Sequence, residues 1–221
     1  TVTGNSTYGI YSHTRSSSTS TGSISNNQVY SNGNNGIYLF SEYNYTTARC
    51  EYVVSGNTVY SNNNTRGIYD RAYRGSFKVD ITGNDVSLSN TGIYCQGYGY
   101  QPSYVFDALI SGNNVHDNTG AGISCYEEYV GQFYPEIRGN TVTTNGGDGI
   151  SVTRNTGRNN TVAPVIILNT VTGNGSRGIN CVATAPATIL YNDVNANTGN
   201  GVDLTAGNGS SVHYNNLYNN S

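Results

Sequence analysis

Short alternations of aliphatic and polar residues recur along this chain at a constant internal spacing. From Val54 to Ile68 the order is an aliphatic residue, two others, Asn, one residue, an aliphatic residue, two others, Asn, a short polar turn, then Gly-Ile. The frame returns with its first Asn at Asn27, Asn57, Asn84, Asn113, Asn140, Asn169, Asn192 and Asn215. Its glycine falls at Gly9, Gly36, Gly67, Gly92, Gly122, Gly149, Gly178 and Gly201, 23 to 31 residues apart. Pieces such as Thr58-Val59-Tyr60 and Asp85-Val86-Ser87 set one aliphatic residue between two polar neighbours, the two-residue period of a strand.

A repeat of this length predicts a solenoid in which each coil stacks on the last. Helical coils are excluded because no 3.6-residue apolar stripe is present and Gly, Asn, Ser and Thr dominate. Leucine-rich coils are excluded because their Leu frame is missing. The reading is an all-β parallel β-helix of about eight coils, one domain over residues 1–221. Each repeat Asn is expected in a left-handed turn, its amide bonded to the Asn above and below as a ladder. A second ladder runs through Asn5, Asn32, Asn62, Asn118, Asn145, Asn174, Asn197 and Asn220, slipping one place at Asn90. The repeat glycines are expected at positive φ, and the core to be little more than columns of Ile and Val.

Units such as Ile110-Ser-Gly-Asn-Asn-Val-His-Asp-Asn-Thr-Gly-Ala-Gly-Ile123 resemble those of the right-handed parallel β-helix repeat families. These include pectate-lyase-like lyases, alginate epimerases, periplasmic copper-site assembly proteins and cell-surface proteins. The resemblance covers the whole chain and implies the fold, whereas one scaffold carries many activities.

Composition narrows the partners. Charged residues are 10% and the net charge is −3, which argues against nucleic acid and against an electrostatic grip on anionic membranes. No stretch approaches the roughly 20 apolar residues of a membrane-spanning helix. The low Lys content and abundant Asn, Ser, Thr and Tyr point to an extracellular or cell-surface protein. Asn44, Asn63, Asn159 and Asn208 are the glycan acceptors that fall in loops. Cys95, Cys125 and Cys181 share one offset, two residues after the repeat Ile, and alternation turns them inward as buried thiols. Cys95 and Cys125 lie in adjacent coils, within reach of a disulfide. No Cys-x-x-Cys or Cys/His cluster predicts a metal.

The segment after each Gly-Ile varies in length and holds most of the Tyr and charged residues, so it is where chemistry is expected. Tyr43, Tyr45, Tyr73, Tyr98, Tyr100 and Tyr129 are the candidates for contact with sugars or partners. An enzyme acting on a uronic-acid polymer needs a carboxylate neutraliser and a proton acceptor; Arg71, Arg74 and Lys78 suit the first role and Tyr73 the second. Calcium assistance would draw on Asp70, Asp80, Asp107, Glu127 and Glu128, but no acidic column at one offset supports it, and no cofactor is expected. His13, His116 and His213 read as surface residues. The first and last segments match the repeat phase without a cap, so the chain reads as a mature or excised segment, or as a unit that stacks head to tail. These features predict a structural β-helix that forms a filament, sheath or stalk, with self or an extracellular polysaccharide as partner. The alternatives are a polysaccharide lyase or epimerase and a non-catalytic carbohydrate-binding module.

Overall fold

The computed structural model describes residues 1–15, 19–42, 49–63, 65–99, 103–155, 157 and 160–221. Every turn of the chain contributes one strand to each of three sheets, and each strand pairs in parallel with its counterparts one coil before and one coil after. Among the described residues, sheet A has nine short strands, typified by Thr58–Tyr60 and Asp85–Ser87. Sheet B there has eight, including Ile37–Glu42, Arg66–Tyr73, Thr91–Tyr98 and Ile123–Glu128. Sheet C has nine, including Arg49–Ser55, Ser76–Thr82, Val105–Ser111 and Gln132–Arg138.

Three aliphatic columns line the interior. Val59, Val86 and Val115 lie behind sheet A, Ile68, Ile93 and Ile123 behind sheet B, and Ile81, Ile110 and Ile137 behind sheet C, all fully buried. Each contributes about 1.5–3 kcal/mol on leaving water. The interior is richer than the expected Ile and Val columns. Phe77, Phe106 and Phe133 stack in consecutive coils with centroids 5.6 and 5.0 Å apart, and Cys50 and Tyr52 extend the sheet C lining. The cause is that the variable segments are mostly strand: sheet B uses up to eight residues per strand and sheet C up to seven, and alternation sends every second side chain inward.

Both amide ladders form. Asn57 donates its backbone N–H and its side-chain N–H to Oδ1 of Asn84, at 2.9 and 3.0 Å, and its second amide hydrogen to the Ile24 carbonyl at 2.9 Å. Asn118 repeats this toward Asn145 and Val86. The second ladder does not slip at Asn90. Ser89 stands in the Asn position, fully buried, with its N–H bonded to Asn118 Oδ1 at 3.0 Å.

The left-handed residue is not the ladder Asn but the one before it. Gly56, Gly83, Gly112 and Gly139 precede the first ladder at φ of 61–62°, and Leu168, Tyr191 and Tyr214 take the same place at 56–59°. The repeat glycines, expected at positive φ, are absent from that conformation. They are required by packing instead: a β-carbon on Gly92 would lie 2.4 Å from Val115 Cγ1 and 2.7 Å from the Gly122 carbonyl oxygen.

Two glycine substitutions separate these requirements. Gly112→Ala meets nothing within 4 Å and should cost only the left-handed strain, about 1–2 kcal/mol. Gly92→Ala should cost about 3 kcal/mol or more by overpacking. Chemical denaturation ranks the two, and equal losses would refute the packing assignment.

Candidate functional site

The outer face of sheet B carries the largest aromatic assembly. In-register pairing aligns Tyr11, Tyr38, Tyr69 and Tyr94 in one column and His13, Phe40, Arg71 and Gln96 in the next. Glu42, Tyr73 and Tyr98 form a third. Because neighbouring strands are about 4.8 Å apart, like rings stack: Tyr38 on Tyr69 at 4.7 Å and 9°, Tyr73 on Tyr98 at 4.9 Å and 11°. Tyr129 meets Tyr98 edge-on at 5.8 Å. Stacking from both sides leaves Tyr38 and Tyr69 only 8% exposed on an outward face, and this burial pushes the Tyr69 phenol pKa up. The Tyr69 hydroxyl donates to Gln96 Oε1 at 2.5 Å, and Gln96 Nε2 donates to Glu128.

Three arginines are set into this frame. The Arg66 guanidinium lies 4.5 and 4.4 Å from the Tyr69 and Tyr94 ring centroids. That of Arg71 lies 5.6–5.8 Å from Phe40, Tyr73 and Tyr98. Arg74, in the turn to sheet C, lies 5.0 Å from Tyr73. Each is a cation–π contact. Among the described residues none of the three reaches a carboxylate within ion-pair distance, whereas Arg15, Arg49, Lys78, Arg138 and Arg177 all do. Burial opposes the Arg71 charge, yet the Tyr69 and Tyr38 phenols and Glu128 outweigh it and hold its pKa above the usual value.

The sequence candidates are thus brought together only in part. Arg71, Tyr73, Arg74, Tyr98 and Tyr129 converge. Lys78 does not: it points outward from sheet C, 3.8 Å from Asp80, in a shallow cleft of about 420 Å³ shared with Asp107, Tyr134 and Glu136. Tyr43, Tyr45, Tyr100, Asn44 and Asn159 lie outside the described residues. Asn63 and Asn208 are exposed in turns, and the Asn63 amide donates to the Gly33 carbonyl at 2.8 Å. Arg66 was missed because it sits next to the repeat glycine, in a stretch read as a turn.

The five carboxylates considered for calcium are scattered. Asp80 and Asp107 line the sheet C cleft and Glu128 lies on sheet B, while Asp70 and Glu127 point into the core, both fully buried. Glu127 Oε1 accepts from Asn160 Nδ2 at 2.6 Å; neither oxygen of Asp70 has a partner among the described residues. Asp70 occupies the inward column between Leu39 and Cys95. It follows Ile68 by two residues, the offset already assigned to the inward cysteines, so its burial was legible. Cys95 and Cys125 are register partners but, like Cys181, are buried thiols with no S–S bond between them; Cys50 is fully buried as well. His116 is more than a lone surface imidazole. It contacts Asp117 at 2.7 Å and Asp85 at 3.1 Å, and these carboxylates outweigh partial burial to raise its pKa.

A family model described as right handed beta helix region matches residues 1–164 and, in a second overlapping match, 103–221. No curated protein and no solved structure matches the chain.

Burial holds the Asp70 carboxyl far above its usual pKa, so the folded state keeps it protonated after the unfolded chain, at about 3.9, has released its proton. Its contribution to stability is therefore greatest below about pH 4 and declines as pH rises toward the folded value. Asp70→Leu should raise stability at neutral pH by about 1–3 kcal/mol and flatten the decline above pH 4. Thermal melts of both proteins from pH 4 to 8 test this, and parallel pH profiles would exclude a buried acid at this position.

Proposed function

Given that the chain belongs to the right-handed β-helix family, we propose that it is an extracellular structural protein whose sheet B face binds an acidic polysaccharide without cleaving it. The observation that carries this reading is the set of three guanidinium groups, Arg66, Arg71 and Arg74, held by aromatic rings and not by carboxylates. Arginine presents its N–H donors in a planar fork suited to carboxylate or sulfate, and a cation already ordered by stacking loses less freedom on binding. Tyr73, Tyr98 and Tyr129, whose rings stand beside these guanidinium groups or one another, serve as contacts to sugars. Glycans on the exposed Asn63 and Asn208 belong to the same extracellular reading.

A lyase or epimerase is the competing reading. It needs the neutralising cations and a proton acceptor around one sugar, and the separation of Lys78 from Arg71 and Arg74 favours binding over turnover. Calorimetric titration with an oligouronate should show saturable binding that weakens with salt and falls at least about tenfold, near 1.4 kcal/mol, in Arg71→Gln/Arg74→Gln. Equal affinity of the double variant, or of a neutral oligosaccharide, would overturn the assignment. Appearance of an unsaturated or epimerised uronate would replace it with the enzyme.

A further inference from the structure

The residue before each first-ladder Asn adopts a left-handed conformation, which asparagine and glycine tolerate best. Asn26, Gly56, Gly83, Gly112 and Gly139 satisfy that preference, but the last three coils place Leu168, Tyr191 and Tyr214 there. Tyr191 and Tyr214 are 54% and 75% exposed. Their rings are parallel to within 7°, with centroids 5.0 Å apart. The pair is held at that spacing from both sides, by the Asn192–Asn215 amide bond at 2.9 Å and by the Tyr191 N–H donated to the His213 carbonyl at 3.3 Å.

Composition bears on what such a pair can do. The chain has 20 Tyr and neither Met nor Trp, and its four cysteines are fully buried. The side chains that most often intercept oxidants are thus absent or shielded, which leaves tyrosine as the oxidisable group that solvent reaches. Stacked pairs occur elsewhere, at Tyr30–Tyr60 and Tyr38–Tyr69, but those rings are partly or fully buried.

We propose that Tyr191 and Tyr214 form a site of oxidative cross-linking, joined by a carbon–carbon bond that ties two consecutive coils together. The co-reactant is a peroxidase-type one-electron oxidant with hydrogen peroxide. Each phenol gives up one electron and its hydroxyl proton, and the two tyrosyl radicals couple between ring carbons ortho to oxygen. The hydrogens on the coupled carbons then pass to the phenolic oxygens and restore both aromatic rings. The peroxide takes the two electrons and two protons and leaves as two waters, so the protein loses two hydrogen atoms. Exposure lets both side chains rotate from the stacked arrangement to the one in which the ortho carbons meet.

The test is treatment of the dilute, full chain with a haem peroxidase and hydrogen peroxide. The expected product is a monomer lighter by two hydrogens, with dityrosine fluorescence and a cross-linked peptide joining the segments that contain Tyr191 and Tyr214. Tyr214→Phe and Tyr191→Phe keep the ring stack and should each abolish that peptide with the circular dichroism spectrum unchanged. Cross-links found only between molecules, only at other tyrosines, or undiminished in both Phe variants would overturn the proposal, as would the absence of dityrosine.

Discussion

Inter-coil register, fixed by two buried amide ladders, is the constraint on which the other features depend. Within a ladder, an Asn receives its neighbour's backbone N–H and side-chain N–H on one oxygen and donates its remaining hydrogen to an aliphatic residue's carbonyl, as Asn113 does with Asn84, Asn140 and Ile81. A coil that slipped by one residue would strand several buried donors, each unmade bond costing about 1–3 kcal/mol. A similar slip would turn the Val and Ile columns to solvent. The repeat glycine follows from the same register, because the Val of the next coil and its Asn amide occupy the space of a side chain there.

Once register is fixed, identical offsets become physical columns, and a column takes its character from the face it lies on. Outside sheet B, repeated tyrosines become a stack of rings. Inside, the offset that holds Leu39 and Cys95 also holds Asp70. The same strands that deliver Arg71 and Tyr73 to the surface deliver Asp70 and Ala72 to the core, since alternate residues face opposite ways. Burying Asp70 and Glu127 withdraws two carboxylates from the neighbourhood of the arginines. This is one reason why a chain of net charge −3 presents three arginines with no carboxylate within ion-pair distance among the described residues.

The two outer flanks consequently differ in chemistry. On sheet C, Arg49, Lys78 and Arg138 are matched by Glu51, Asp80, Asp107 and Glu136, each within 4 Å of its partner. On sheet B, Arg66 and Arg71 are ordered by aromatic rings, which attract a cation without neutralising it. An acidic polymer would therefore meet competing carboxylates on one flank and open guanidinium groups on the other. The fold alone does not choose between the activities it can host.

By itself the sequence determined the coil length, the three aliphatic columns, the two Asn ladders and the inward direction of the cysteines, because each follows from a local period repeated many times. It also grouped Arg71, Tyr73 and Arg74, which are close in sequence and share a strand and its turn. It did not separate Lys78 from them, although Lys78 follows Arg74 by only four positions, because the Arg74–Gly75 turn, with both residues at positive φ, redirects the chain from one sheet to the next. Nor did it show that the variable segments are strands, that Ser89 fills a ladder position, or that the left-handed residue precedes the Asn. Tertiary structure decided these points, because where a strand begins and which way a side chain points after a turn are set by hydrogen bonds to coils 23 to 33 residues away, beyond the reach of any local pattern.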